Sequence, residues 1–216
     1  MVEHAAAVAH QFEDAAQQRG ASTLGMWVFL VNEIMFFGGP FCAYVAYRSL
    51  FPGAFGHASS HLDVRLGALN TAVLIASSLT MALAVHATQT GRRGRTIAAW
   101  LLVTMALGST FLVVKAYEYA HKFHEGLVPG PAFTYAGPDA PQAQLFFSIY
   151  FALTGLHALH MVIGIGLLAW LARAASEWRY GPAYHTPVEN SGLYWHFVDI
   201  VWIFLFPLLY LIGRHG

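Results

Sequence analysis

Charge is what this chain has least of. Asp, Glu, Lys and Arg make up 10% of its 216 residues, while 57% are hydrophobic and the mean hydropathy is +0.52. Soluble domains usually carry about 25% charge, so an ordinary water-soluble fold is excluded and the bilayer becomes the main solvent. The formal net charge is zero, which leaves no basic footprint for a nucleic-acid partner. There is one cysteine, Cys42, in an apolar stretch. It excludes an intrachain disulfide and any multi-cysteine zinc or iron–sulfur site. Met1 to Gly20 is rich in Ala, Gln and Glu and lacks a basic stretch followed by an apolar core, so it reads as a cytoplasmic segment and not as a cleaved signal peptide. No internal repeat is visible, which argues against a transporter built from inverted repeats.

Long apolar runs are what the chain does have. A helix crossing the hydrocarbon core needs ~20 mainly apolar residues. Five runs qualify: Leu24–Tyr47, Leu66–Ala87, Ile97–Tyr119, Gln144–Leu171 and Tyr194–Ile212. The expected fold is an all-α membrane protein, a five-helix transmembrane bundle over residues 24–212 preceded by a cytoplasmic segment over 1–23. Phe51-Pro52-Gly53 ends the first span, Gly91-Arg92-Arg93-Gly94-Arg95 makes a basic turn, and residues 120–143 form the longest loop. With the N-terminus inside, the inner segments hold Arg19, Arg92, Arg93, Arg95, Arg173 and Arg179, and the outer ones Arg48, Arg65, Lys122 and Arg214. Basic loop residues favour the cytoplasmic side, so the expected topology is N-terminus inside, C-terminus outside.

Polar groups at membrane depth need partners or line cavities. Glu33 is the sharpest case. Its neighbours Gly25 to Phe37 offer no basic partner within two helical turns, so its partner must come from another helix, another subunit, a lipid head group or a bound proton. Burial without a cation favours the neutral acid. Asn70, Thr71, Ser77 and Ser78 read as interhelical glue, and Gly164 and Gly166 as close-packing positions. Lys115 and Glu118 lie three apart and share a helix face. An interfacial salt bridge is expected there, with Tyr117 and Tyr119 as an aromatic belt; the alternative is that Glu118 reaches a neighbouring helix as a second buried acid.

His157 and His160 are also an i, i+3 pair. Di-metal sites in helix bundles add carboxylates in Glu-x-x-His pairs, and this span has none, so hydrogen bonds to neighbouring helices or to Glu33 and Glu118 are expected in place of metal or haem ligation. At the start of the fifth span, Trp195, His196 and Asp199 share a face, and Asp199 is expected to accept from His196 or an indole N–H.

Several strings together resemble subunit III of the haem–copper cytochrome c oxidases: Gly25-Met26-Trp27 through Glu33 to Phe37, Leu69-Asn70-Thr71-Ala72-Val73-Leu74, Glu118-Tyr119, Thr154-Gly155-Leu156-His157-Ala158-Leu159-His160, and Tyr194-Trp195-His196-Phe197-Val198-Asp199. They occur in the family's order and span nearly the whole chain. Many family members have seven spans, and this chain resembles the shorter bacterial form that lacks the first two.

The resemblance implies a non-redox accessory subunit of an O2-reducing, proton-pumping complex in the bacterial plasma membrane. It would pack on subunit I and sustain proton uptake, with haems and copper held only by partner subunits I and II. Cytochrome c is the implied electron donor, on the strength of Glu33 where quinol-oxidase relatives often carry Asp. A respiratory supercomplex is a further implied partner. Glu33 matches the family's carbodiimide-reactive buried carboxylate and, with Glu118, forms the expected pair of functional acids. Asn70, His157, His160, His196 and Asp199 form the expected intramembrane network, and Trp27, Trp195, Trp202 and Arg179 the expected phospholipid contacts. No catalytic or metal-binding residue is expected. The alternatives are a quinol-oxidase or nitric-oxide-reductase-associated subunit III, a stand-alone proton transporter, and a haem protein using His157 or His160.

Overall fold

The computed structural model describes residues 8–137, 139–177 and 179–211. They form six α-helices: α1 (Ala15–Leu50), α2 (Pro52–Ser60), α3 (Val64–Gln89), α4 (Gly94–His124), α5 (Ala140–Ser176) and α6 (Thr186–Phe206). A π-helical turn, Pro207–Leu211, continues α6. No strand occurs among the described residues. Five of these elements are long and apolar enough to cross a membrane, α6 counted together with its π turn. They contain the five expected spans, except that Ile212 lies outside the described residues, as do Arg214 and Pro138.

The helices overrun the apolar windows. The 36 residues of α1 reach about 54 Å, well beyond a hydrocarbon core of about 30 Å. Hydropathy marks only the part of a helix in contact with lipid, whereas the backbone ladder continues until a cap ends it. Asp14 provides such a cap by accepting from Gln17 N at 2.7 Å, so the segment expected before residue 24 is helical from Ala15. Phe51-Pro52-Gly53 does end α1, but Pro52 then opens a further helix. Proline suits a first helical position, where no intrahelical partner is needed for the missing N–H. Ala54, Phe55 and Ala58 of α2 are buried, and Phe55 meets Phe146 of α5 edge-on at 5.4 Å.

The spans run up and down. At one end Asn190 Nδ2 donates to Ser22 O at 3.3 Å, and Gln89 bonds Glu189. There the α3–α4 turn closes at Gly91, whose φ of +69° a side chain would strain. At the other end Lys122 Nζ donates to His61 O at 2.7 Å. Glycines let the inner helices close on one indole. A Cβ on Gly108 would lie 2.7 Å from Trp195 Cη2, and one on Gly164 3.0 Å from Trp195 Cζ3. Gly166 has no atom within 4 Å of its would-be Cβ, so it makes no close contact.

Candidate functional site: two buried acids and their partners

Four small polar residues of α3 bind other helices. Asn70 Nδ2 donates to Phe111 O at 3.4 Å. Thr71 Oγ1 accepts from Trp202 Nε1 at 3.1 Å, Ser77 Oγ accepts from Trp195 Nε1 at 3.0 Å, and Ser78 Oγ pairs with His196 Nδ1 at 2.6 Å. Trp195 and Trp202 are 1% and 0% exposed, so they are core anchors and not lipid contacts. Their indole N–H groups found hydroxyls inside the bundle, which makes full burial tolerable. Trp27, 54% exposed on α1, and Arg179, paired with Glu177 Oε2 at 2.7 Å on the α5–α6 loop, do face outward.

Lys115 and Glu118 point into the bundle and not to its surface. They are 3% and 2% exposed, and Lys115 Nζ lies 3.0 Å from Glu118 Oε2. The ammonium also donates to Tyr150 OH at 3.1 Å and Tyr210 OH at 2.8 Å, which uses all three of its protons. Both phenols in turn donate to Glu118 Oε1, at 2.9 and 2.6 Å. Every polar atom of the cluster is thus satisfied, and Nζ lies 5.0–5.5 Å from four aromatic ring centroids. The expected ion pair exists, but as a closed core network in which Glu118 binds α5 and the π turn. The π geometry follows from Pro207, which cannot continue the α-helical ladder, and the widened turn carries Tyr210. In the same region Tyr44 OH of α1 donates to Leu208 O at 2.5 Å.

Glu33 finds its partner on α5. His160 Nε2 lies 3.2 Å from Glu33 Oε2, and His160 Nδ1 is 2.8 Å from Leu156 O. Because a backbone carbonyl can only accept, Nδ1 carries a proton. His160 is therefore oriented from behind and presents Nε2 to the acid. Both side chains lie at the bundle's edge, 13% and 11% exposed. Phe37 flanks the imidazole at 5.1 Å, and Tyr194 OH donates to His160 O at 2.9 Å.

His157 departs from expectation. It is wholly buried, wedged between Phe111 and Trp202 with both centroids 5.2 Å away, and neither ring nitrogen has a hydrogen-bond partner. It bonds neither Glu33 nor Glu118. Asp199 departs too: both its oxygens lack a partner, because His196 turns its Nδ1 to Ser78 and the nearby indoles serve α3 hydroxyls. Tyr150 and Tyr210 were not singled out from the sequence. The available signal was Lys115 itself, since a buried ammonium needs three acceptors and its own helix offered one.

Among the described residues no three His, Cys, Asp or Glu side chains gather closely enough to hold a metal ion. The class these features define is a multi-pass helical membrane protein with buried ionisable groups. The chain belongs to the cytochrome c oxidase subunit III family, whose model matches residues 3–214. It is 37% identical over 192 residues to cytochrome c oxidase subunit 3 of Synechocystis sp., covering 87% of this chain and 74% of that one. It is 33% identical to cytochrome c oxidase subunit 3 of Corynebacterium diphtheriae, over 92% and 95% of the two chains. Identity to cytochrome bo(3) ubiquinol oxidase subunit 3 of Pseudomonas aeruginosa is 32%, over 95% and 92%. The relatives thus include subunits of both cytochrome c and quinol oxidases.

Proposed function

We propose that this chain is the non-redox subunit III of a proton-pumping terminal oxidase that takes electrons from cytochrome c. It lies in a bacterial plasma membrane with its N-terminus inside, packs on subunit I, and sustains proton uptake by the O2-reducing complex. The observation that carries the reading is the Glu33–His160 pair: an acid and an imidazole 3.2 Å apart at the edge of a bundle whose Lys115–Glu118 pair is sealed inside. A carboxyl and an imidazole in contact can pass a proton between them. A place at the edge puts that proton within reach of a neighbouring subunit or lipid. Cytochrome c as donor rests on the resemblance that Glu33 carries.

Bound phospholipid fits a groove of ≈ 520 Å³ between α1 and α6, walled by Phe37, Phe41, Phe197, Val201, Phe204 and Leu208. This apolar channel suits an acyl chain, with Trp27 and Arg179 as outward-facing contacts nearer the Arg-rich end of the bundle.

Affinity purification through a tag on this chain tests the assignment. The chain should bring down the haem- and copper-bearing subunits. Its deletion should leave the haem spectrum unchanged while activity declines faster during turnover. Loss of a haem signal on deletion would overturn the non-redox role. Oxidation of a quinol but not of reduced cytochrome c by the complex would reassign the donor. Proton flux in liposomes holding this chain alone would favour the transporter reading.

A further inference from the structure

Among the described residues, α1 makes three side-chain hydrogen bonds to other elements. Asn190 Nδ2 donates to Ser22 O near one end, Tyr44 OH donates to Leu208 O near the other, and the Glu33–His160 contact stands between them. That contact has little slack: at 3.2 Å, a further separation of about half an ångström would end it. The bond between His160 Nδ1 and Leu156 O fixes the imidazole on its own helix, but it does not fix the distance from α5 to α1. Tyr194 of α6 reaches both helices at this level. Its OH donates to His160 O at 2.9 Å, and its ring centroid lies 6.0 Å from that of Phe29, one helical turn before Glu33. The ring comes this near α5 because position 164 is glycine: a Cβ there would lie 3.1 Å from Tyr194 Cε1. Phe37, one turn after Glu33, packs on the imidazole at 5.1 Å. Apolar faces in contact can slide, whereas a hydrogen bond to a backbone oxygen fixes a point.

From these contacts we infer that Tyr194 is a positioning residue for the Glu33–His160 pair: its phenol and ring together set the spacing of α5 and α1 at which the acid and the imidazole meet. The inference rests on the role proposed above for that pair. Tyr194 differs from the other ring donors of α6 in what it binds. The indoles of Trp195 and Trp202 donate to side-chain hydroxyls of α3, far from Glu33 in the contact network. Tyr194 donates to the main chain of α5, at the residue that holds Glu33. The bond is not needed to satisfy that carbonyl. A carbonyl oxygen has two lone pairs, and the helical ladder already calls on one of them for the N–H four residues on. Removing the phenolic oxygen therefore leaves no backbone group of α5 without a partner, and a phenylalanine ring still fills the space beside Gly164 and Phe29. What Tyr194→Phe takes away is the directional tie, with most of the packing kept.

The test uses the full chain in its native membranes and reads carbodiimide labelling of Glu33 across a range of pH. Tyr194→Phe should change the labelling rate by about threefold or more, the scale of one hydrogen bond, in the same direction as His160→Gln. Adding Tyr194→Phe to His160→Gln should change nothing further, because a residue that acts through His160 has nothing to position once the imidazole is gone. Trp202→Phe, which also deletes a hydrogen bond of α6, should leave the labelling profile at that of the unaltered chain. A wild-type profile in Tyr194→Phe, an effect that adds in full to that of His160→Gln, or an equal change in Trp202→Phe overturns the inference and leaves Tyr194 as a structural tie only. If Tyr194→Phe is lost from the membrane, Phe29→Ala reads the same spacing from the α1 side, and an unchanged labelling rate there overturns it as well. Labelling does not depend on oxidase activity. A purified complex in which Tyr194→Phe shifts the labelling while activity during turnover holds at the wild-type course would uphold the positioning and overturn the functional role proposed for the pair.

Discussion

Glu118 and Glu33 lie in one bundle, each beside one nitrogen base, and their surroundings make them opposites. Glu118 accepts from Lys115, Tyr150 and Tyr210, on three elements, and is sealed from any solvent. Glu33 has a single partner, His160, and stands at the edge of the helix least covered by its own chain. In its most apolar stretch α1 is 17% buried, against 56% for α6 with its π turn. A saturated network has no capacity left to change protonation without leaving a neighbour unpaired. An edge pair with one contact can gain or lose a proton, or change partner, at small structural cost. The first arrangement leaves room only for architecture, and the second leaves room for the role proposed above.

Lys115→Met breaks the comparison hardest. It leaves Glu118 buried without its cation, at a cost of about 3–5 kcal/mol. The chain should be lost from membranes or from the purified complex, as immunoblotting against a core subunit would show. Lys115→Met combined with Glu118→Gln should recover much of that loss, because a neutral amide oxygen still accepts from both tyrosines. If the single variant assembles normally, the cluster is not the structural lock described here.

Gly108→Ala comes next. Its new methyl would meet Trp195 Cη2 at 2.7 Å, an indole ring clamped from the other side by Gly164. Overpacking of this kind costs about 1–3 kcal/mol, so the thermal midpoint of the complex should fall. Gly166→Ala on α5, with open space around it, should leave the midpoint unchanged. A third substitution, Trp202→Phe, keeps most of the ring but strands the hydrogen bond to Thr71, for about 1 kcal/mol. The same thermal measurement reads it, and a loss smaller than that of Gly108→Ala is expected.

The five spans and the role of the α3 hydroxyls were legible because water is the reference in both cases. Long apolar runs avoid it, and isolated polar groups must replace it. Which face of a helix looks inward was not legible. Lipid is as apolar as a protein core, so Trp195 and Trp202 inside the bundle and Trp27 outside it carry the same sequence signal. The partners of Lys115 were hidden for a different reason. Tyr210 reaches it through a π turn at Pro207, and a pattern with a period of 3.6 residues does not describe that turn. The short helix α2 was missed because Pro52-Gly53 signals a break, whereas here the proline both closes one helix and opens the next.

Glu33→Gln should have the smallest structural effect, and it sharpens the contrast most. A carboxamide occupies nearly the same volume, and its NH2 can donate to His160 Nε2, while Nδ1–H stays fixed on Leu156 O. The expected change in stability is under about 1 kcal/mol, the range of one retained hydrogen bond of altered strength. Assembly and haem content should be normal. Carbodiimide labelling should vanish, and activity should decay faster during turnover, because the pair can no longer exchange a proton. His160→Gln should keep labelling at Glu33 yet show the same accelerated decay, since the acid survives without its imidazole. If either variant fails to assemble, the charge of the pair is structural after all, and Glu33 belongs in the same class as Glu118.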